Sequence, residues 1–410
     1  MKKLFLTVAL IATLCLTGCG SLKDKEIKDN FIKDVEGLKA YYMEGTLKLT
    51  NNDDTYEYDV EVSFKKDDKY KVSLKNKANN YEQIILKNDE GVYVITPSLN
   101  KSFKFQSDWP NNNSQSYLLD SVANDLKDDS AYKFTQKDKD YIFTTKTNYP
   151  NNPKYVKQNI TLDKNQKLKK VEVQDEQGTT YIEFNVSKID NKAKFDDKQF
   201  KLDELTKNFT KEQSNQKNQT QNQDQAQNNN FSNNEQNINT EKTNDNNINE
   251  ESNSSENSST SQNDNNNNQT TNQNQNNSQT NTNNNSQNNN TSTTSKIDEN
   301  VFPLYLPTNT SLSDKEVIET SNGQRVIMTF SGDNPFVLVE ETIKPSENLE
   351  IIPTYGEPFM LIDTVGSLTD TSYTWTSNGV EYYIVSDQMN KHELLEVAKS
   401  INVVSTINQK

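Results

Sequence analysis

One histidine, His392, and two cysteines, Cys15 and Cys19, supply all the imidazole and thiol chemistry in 410 residues. A Cys/His zinc site or a disulfide framework needs more of both, and a nucleophile–histidine triad would have to use His392. His392 stands between Lys391 and Glu393, where an apolar-periodic stretch begins, and nothing beside it orients an imidazole; it reads as a solvated residue in the first turn of a helix. The acidic pairs Asp53-Asp54, Asp67-Asp68, Asp128-Asp129 and Asp196-Asp197 are the next candidates, as metal ligands or as the acid and base of sugar cleavage. Each lies in a turn, and none has the spaced Asp-x-Asp-x-Asp-Gly run of a calcium loop. The 11 glycines include no phosphate-cradling loop. The sequence therefore gives no catalytic residue, no metal site and no cofactor, and the expected protein is not an enzyme. Trp109, before Pro110, reads either as a rim aromatic or as core packing. With Leu118 and Leu119 it is the candidate partner or ligand surface.

Cys19 has a more specific context. Met1-Lys2-Lys3 is a basic start, and Leu4 to Leu16 is an apolar run of about thirteen residues, short of the roughly 20 that span a bilayer. Leu16, Thr17 and Gly18 place small residues just before Cys19. This pattern describes a signal peptide over 1–18, and its end resembles a bacterial lipobox. That resemblance implies a diacylglyceryl group on the Cys19 thiol, cleavage before Cys19, and attachment to the extracytoplasmic face of the membrane by acyl chains. Loss of Lys2 and Lys3 takes the net charge from −15 to −17. An anionic membrane surface repels such a chain, so the anchor is the lipid. The same acidity argues against a nucleic-acid partner, which clustered Lys and Arg would have to hold.

Hydrophobic residues are only 30% of the chain, well below an ordinary globular share of about 45–50%. The deficit is concentrated. From Asn208 to Ser295 the only aromatics are Phe209 and Phe231, the only aliphatics Ala226, Ile238 and Ile248, and Gly and Pro are missing. Such a segment buries too little apolar area to offset its ordering entropy. Residues 207–298 are expected to be a disordered Asn/Gln/Ser/Thr-rich tether of roughly 50 Å mean span.

Two folded domains are expected on either side. In 24–206, Ile27, Phe31, Val35 and Leu38 recur at helical spacing. Tyr56, Tyr58, Val60, Val62 and Phe64 then alternate with Glu57, Asp59, Glu61 and Ser63, the period of a half-buried strand. Further strands are expected at 42–50, 70–74, 84–86, 92–96 and 102–105. A second helix follows, capped by Ser116, with Leu118, Leu119, Val122 and Leu126 on its apolar face, and strands resume at 132–134, 141–147, 155–162, 169–174 and 180–188. The order indicates an α+β domain with a large antiparallel sheet. In 299–407, strands are expected at 324–331, 336–342, 359–362, 372–376 and 380–386. Asn378-Gly379 is a tight hairpin turn, and Asn390 with Glu393 is a capping box for a closing helix carrying Leu394, Val397, Ala398 and Ile401. This second domain is also small and α+β.

Besides the lipobox, four stretches carry a family resemblance: Leu38-Lys-Ala-Tyr-Tyr42, Asp89-Glu-Gly-Val-Tyr-Val-Ile-Thr-Pro97, Ser102-Phe-Lys-Phe105 and Ser116-Tyr-Leu-Leu119. Over about 160 residues the first domain resembles the LolA-like superfamily, and within it the GerS-type germination and sporulation lipoproteins of spore-forming bacteria. The resemblance implies an antiparallel half-barrel with helices on its concave face and a protein partner, either a cell-wall hydrolase or a sporulation protein. The chain departs from shuttling lipoprotein carriers in carrying its own lipidation motif. Over about 100 residues the second domain, with its Tyr-Leu-Pro307 opening, Trp375…Asn-Gly-Val-Glu-Tyr-Tyr383 and Glu393–Ile401, resembles a domain of unknown function in sporulation and anti-sigma-factor-like surface proteins. The expected function is a membrane-anchored adaptor. A binder of lipid or another hydrophobic ligand, and a surface sensor or structural protein, are the alternatives.

Overall fold

The computed structural model describes residues 21–51, 54–111, 113–207, 297 and 301–407. The lipobox residues Leu16, Thr17, Gly18 and Cys19, and all of the expected tether except 207 and 297, lie outside the described residues. What is described is mostly β, with few helices.

Helix α1 (Ser21–Glu36) leads into β1 (Ala40–Asn51), β2 (Asp54–Lys65), β3 (Lys69–Asn76), β4 (Glu82–Asn88), β5 (Gly91–Thr96) and β6 (Lys101–Phe105). Helix α2 (Leu119–Asp128) follows, then β7 (Lys133–Lys137), β8 (Asp140–Lys146), β9 (Lys157–Leu162), β10 (Leu168–Gln174) and β11 (Thr180–Asp190). Residues 202–207 form a short helix, α3. The second stretch holds β12 (Thr310–Thr320), β13 (Gly323–Gly332), β14 (Phe336–Thr342), β15 (Glu350–Thr354), β16 (Glu357–Met360), β17 (Val365–Leu368), β18 (Ser372–Ser377), β19 (Val380–Val385) and α4 (Lys391–Ile407).

Strands β1 to β11 form one sheet in the order β6-β5-β4-β3-β2-β1-β11-β10-β9-β8-β7. Strand β2 shows why: Tyr56, Tyr58, Val60 and Val62 are buried while Glu57, Asp59 and Glu61 face outward, as the period of 2 requires. The β2–β3 turn puts Asp67 and Asp68 at φ of 74° and 63°, a left-handed pair that short acidic side chains tolerate. Strands β4 and β5 are buried on both faces, and their runs Ile84–Leu86 and Val92–Thr96 are accordingly continuous. Their outer face is covered by the chain after β11: Phe200 and Leu202 pack with Ile84, Leu86, Tyr93 and Ile95.

The second stretch makes a seven-stranded antiparallel sheet in the order β12-β13-β14-β19-β18-β17-β16, with α4 packed on β18 and β19. Tyr373, Trp375 and Tyr382 stack at centroid distances of 5.2 and 5.0 Å. Asn378 and Gly379 take φ of 50° and 79° in the β18–β19 turn. Asn390 Oδ1 accepts from the Glu393 N–H at 3.0 Å, and Asn390 Nδ2 donates to Glu393 Oε2 at 3.0 Å.

The described residues of the two folded stretches belong to one compact unit. Strand β15 leaves the second sheet and pairs in parallel with β6, Ile352 opposite Phe103, so that the first sheet has twelve strands. Gln83 on β4 holds the chain beside it: its Nε2 donates to the Val365 carbonyl at 3.1 Å, and its Oε1 accepts from the Val365 N–H at 2.6 Å and from Thr364 Oγ1 at 3.1 Å. Tyr58 Oη donates to the Ile362 carbonyl at 2.7 Å.

Candidate functional site

One face of the twelve-stranded sheet is the candidate site, because α1 and α2 lie on it and because the sequence offered Trp109, Leu118 and Leu119 there as a partner or ligand surface. Ile27, Phe31 and Val35 of α1, and Leu119, Val122, Ala123 and Leu126 of α2, are buried in the same core as Tyr41, Met43, Val60 and Val62 of the sheet. Trp109, Leu118 and Leu119 are only 1%, 0% and 3% exposed. They are interior residues, packed in the core of this structure. Trp109 ends a ladder of rings: Tyr41–Phe64 at 5.1 Å, Phe64–Tyr70 at 4.9 Å and Tyr70–Trp109 at 5.8 Å between centroids.

Ser116 does not cap α2. The cap position belongs to Leu118, which makes no side-chain cap bond, and the helix begins at Leu119. Two carboxylates fix α2 to the sheet instead. Asp120 Oδ2 accepts from Tyr41 Oη at 3.3 Å and Tyr70 Oη at 3.2 Å. Asp125 accepts from Ser114 Oγ at 2.9 Å and from Gln158 Nε2 at 2.6 Å. Burial raises both carboxyls above the usual range, Asp125 to about 6, while the donated hydrogen bonds pull them back. Both acids act as struts between α2 and its surroundings.

The face is closed by the chain's own side chains. Beneath α1, Phe31, Val35, Leu38, Leu119 and Leu168 leave about 20 Å³. Toward the second stretch, Leu361 and Ile362 come in beside Trp109, Tyr117, Leu47 and Ile85, and a cavity of about 100 Å³ remains. The sequence suggested a strand at 359–362; β16 ends at Met360, and Leu361 and Ile362 turn inward as buried filling.

The remaining candidates are dispersed. Asp68 pairs with Lys87 at 2.5 Å, Asp197 with Lys65 at 2.6 Å, and Asp129 Oδ2 accepts from the Lys146 N–H at 3.0 Å. Asp53 lies outside the described residues. Among the described residues no group of three or more His, Cys, Asp or Glu could hold a metal ion. His392 is half-buried in the first turn of α4, with Nδ1 unpartnered. What sequence reasoning missed is the surface of the second stretch. Strand β12, mostly exposed, is the edge of its sheet, with β13 its one neighbour among the described residues and Leu312 and Val317 outward; Leu304, Tyr305 and Leu306 are exposed just before it. Its polar composition hid the strand, and the three apolar residues after Pro303 were the available signal.

A two-sheet protein, mostly β, with its helix-covered face closed from within, is the class these observations define. No family model matches the chain. It is 30% identical over 401 residues to sporulation protein YdcC of Bacillus subtilis (strain 168), covering 97% of this chain and 95% of that one, and it belongs to that family. Among solved structures, the Pseudomonas aeruginosa MucA/MucB complex is 10% identical with a TM-score of 0.28, covering 92% of this chain and 98% of that one. The Clostridioides difficile CwlD amidase in complex with the GerS lipoprotein is 15% identical with a TM-score of 0.18, covering 42% and 95%. A LolA superfamily protein of Nitrosomonas europaea is 12% identical with a TM-score of 0.25, covering 43% and 98%. Among the described residues no helix is long and apolar enough to cross a membrane.

Proposed function

We propose that this chain is a lipid-anchored, extracytoplasmic adaptor that works in sporulation by binding a protein partner, and that it catalyses nothing itself. The observation that carries the reading is the filled face: the 100 Å³ beside Trp109 is small against the few hundred Å³ of sites that enclose ligands. A lipid carrier would keep that space open. The YdcC relative supplies the sporulation context. The lipobox ending in Cys19 supplies the anchor and the compartment. The edge strand β12, with Leu304, Tyr305, Leu306, Leu312 and Val317 exposed, offers backbone and apolar side chains to a partner strand. The partner best suited to such a tethered protein is a cell-wall-processing enzyme or another sporulation protein.

The test is a photo-crosslinking residue at position 317 in cells undergoing sporulation. One discrete adduct in the membrane fraction is expected, and Leu312→Asp should abolish it. Stoichiometric acyl lipid extracted from the purified protein and identified by mass spectrometry would replace this reading with the ligand-binding one.

A further inference from the structure

A second cavity, away from the helix-covered face, has the opposite character. It lies where β15 and β6 meet β17, β18 and β19, encloses about 360 Å³, and is walled by Phe103, Phe105, Ile352, Tyr355, Trp375 and Tyr383. That volume is within the range of small-molecule sites, and the wall is mostly apolar and aromatic. Tyr355 stands at it 89% exposed, the most exposed large apolar side chain among the described residues.

One acid lines this cavity, Glu381 on β19. Its acidic neighbours are matched: Arg325 donates to Glu341 Oε2 from Nε at 2.9 Å and from Nη2 at 2.6 Å, and Lys101 lies 3.8 Å from Glu350. Among the described residues no hydrogen bond or ion pair reaches the Glu381 carboxylate. Burial raises its pKa first, and Glu341 and Glu350 add to the rise against the pull of Lys101. A half-buried carboxylate without a partner is costly. A cation placed against it would relieve that cost, and aromatic faces around the same space attract a cation as well.

We propose that this cavity binds an alkylammonium group, the ammonium paired with Glu381 and its aliphatic stem against Phe103, Phe105 and Tyr355. A single carboxylate is available in the cavity, which favours an ammonium over a guanidinium. An ammonium is satisfied by fewer acceptors than the five donors of a guanidinium. The chemistry is that of a free small amine or of a lysine side chain on another protein. It does not depend on the adaptor reading.

Calorimetric titration of the full chain tests it with n-hexylamine, n-hexanol, butylguanidine and Nα-acetyl-lysine methylamide. Saturable 1:1 binding of hexylamine is expected, at least tenfold tighter than hexanol, and Glu381→Gln should weaken it at least tenfold. Tyr355→Ala, a change at an exposed side chain that leaves folding intact, should weaken it about threefold or more. The lysine derivative binding as tightly as hexylamine would mark a protein side chain as the source; its exclusion would mark a free amine. No saturable binding, equal affinity for hexanol, an unchanged affinity in Glu381→Gln, or tighter binding of butylguanidine would each overturn the assignment.

Discussion

Gln83→Leu is the sharpest test of how this molecule is held together. Gln83 is 3% exposed, and Thr364 and Val365 are 2% and 4% exposed, so the amide and its partners meet where water cannot replace a lost bond. Gln83 imitates a β-strand: it gives an N–H to the Val365 carbonyl at 3.1 Å and takes the Val365 N–H at 2.6 Å. Leucine fills nearly the same space but can do neither. Each buried polar group that loses its partner costs about 1–3 kcal/mol. Thr364 Oγ1 keeps a second bond, to the Thr376 carbonyl at 2.9 Å, and is the smaller loss. The two Val365 groups together give about 2–6 kcal/mol, a large part of the roughly 5–15 kcal/mol that keeps a protein folded. Urea unfolding followed by tryptophan fluorescence and by circular dichroism measures it. Wild type should unfold in one transition by both probes, because β15 and Gln83 join the two stretches. The variant should show a lower midpoint or a second transition as the second stretch separates. A midpoint change worth less than about 0.5 kcal/mol, with wild type already melting in two steps, would refute the reasoning.

Other outcomes follow from the same geometry. Leu126→Ala empties a site at 0% exposure beneath α2 and should destabilise by about 2–5 kcal/mol in denaturant unfolding, without creating or removing a bound lipid. A protease site introduced near residue 250 and then cut should leave 24–206 and 299–407 together on gel filtration, since β15 pairs with β6; two separate peaks would contradict the shared sheet. Glu340, 1% exposed on the inner face of β14, has its carboxyl pushed up to about 8 by burial, against a weaker opposite pull from Lys315. The folded chain therefore keeps a proton that the unfolded chain loses above about pH 4.3, and stability should fall as pH rises from there to about 8, by up to about 5 kcal/mol. Glu340→Gln should flatten that fall, and equal slopes for the two proteins would contradict it. Cys19→Ala should move the protein from the membrane to the soluble fraction while its unfolding midpoint stays the same; retention after a salt wash would rule out the lipid anchor.

Local pattern determined the elements whose physics is local. Alternation in Tyr56–Phe64 set a strand and its inner face, the spacing of Ile27, Phe31 and Val35 set a helix and its buried stripe, and Asn378-Gly379 and Asn390…Glu393 set a turn and a cap. Periodicity and capping act within a few residues, so one sequence suffices to read them. Tertiary structure decided what depends on neighbours distant in the chain. Strand β15, Glu-Ile-Ile-Pro-Thr, has too short an apolar run to announce itself, and only the open edge of β6, some 250 residues earlier, makes it a strand. For Trp109 the sequence left a rim role and core packing both open, because apolarity does not say which neighbour covers it; α2 on the sheet and the inward turn of Leu361 and Ile362 bury it together with Leu118 and Leu119. Glu381 is one of 59 acids in the sequence, and nothing in Val-Glu-Tyr-Tyr distinguishes it. Pairing of Glu341 and Glu350 with Arg325 and Lys101, and the packing of β15 against the second sheet, leave this one carboxylate unmatched in an aromatic cavity.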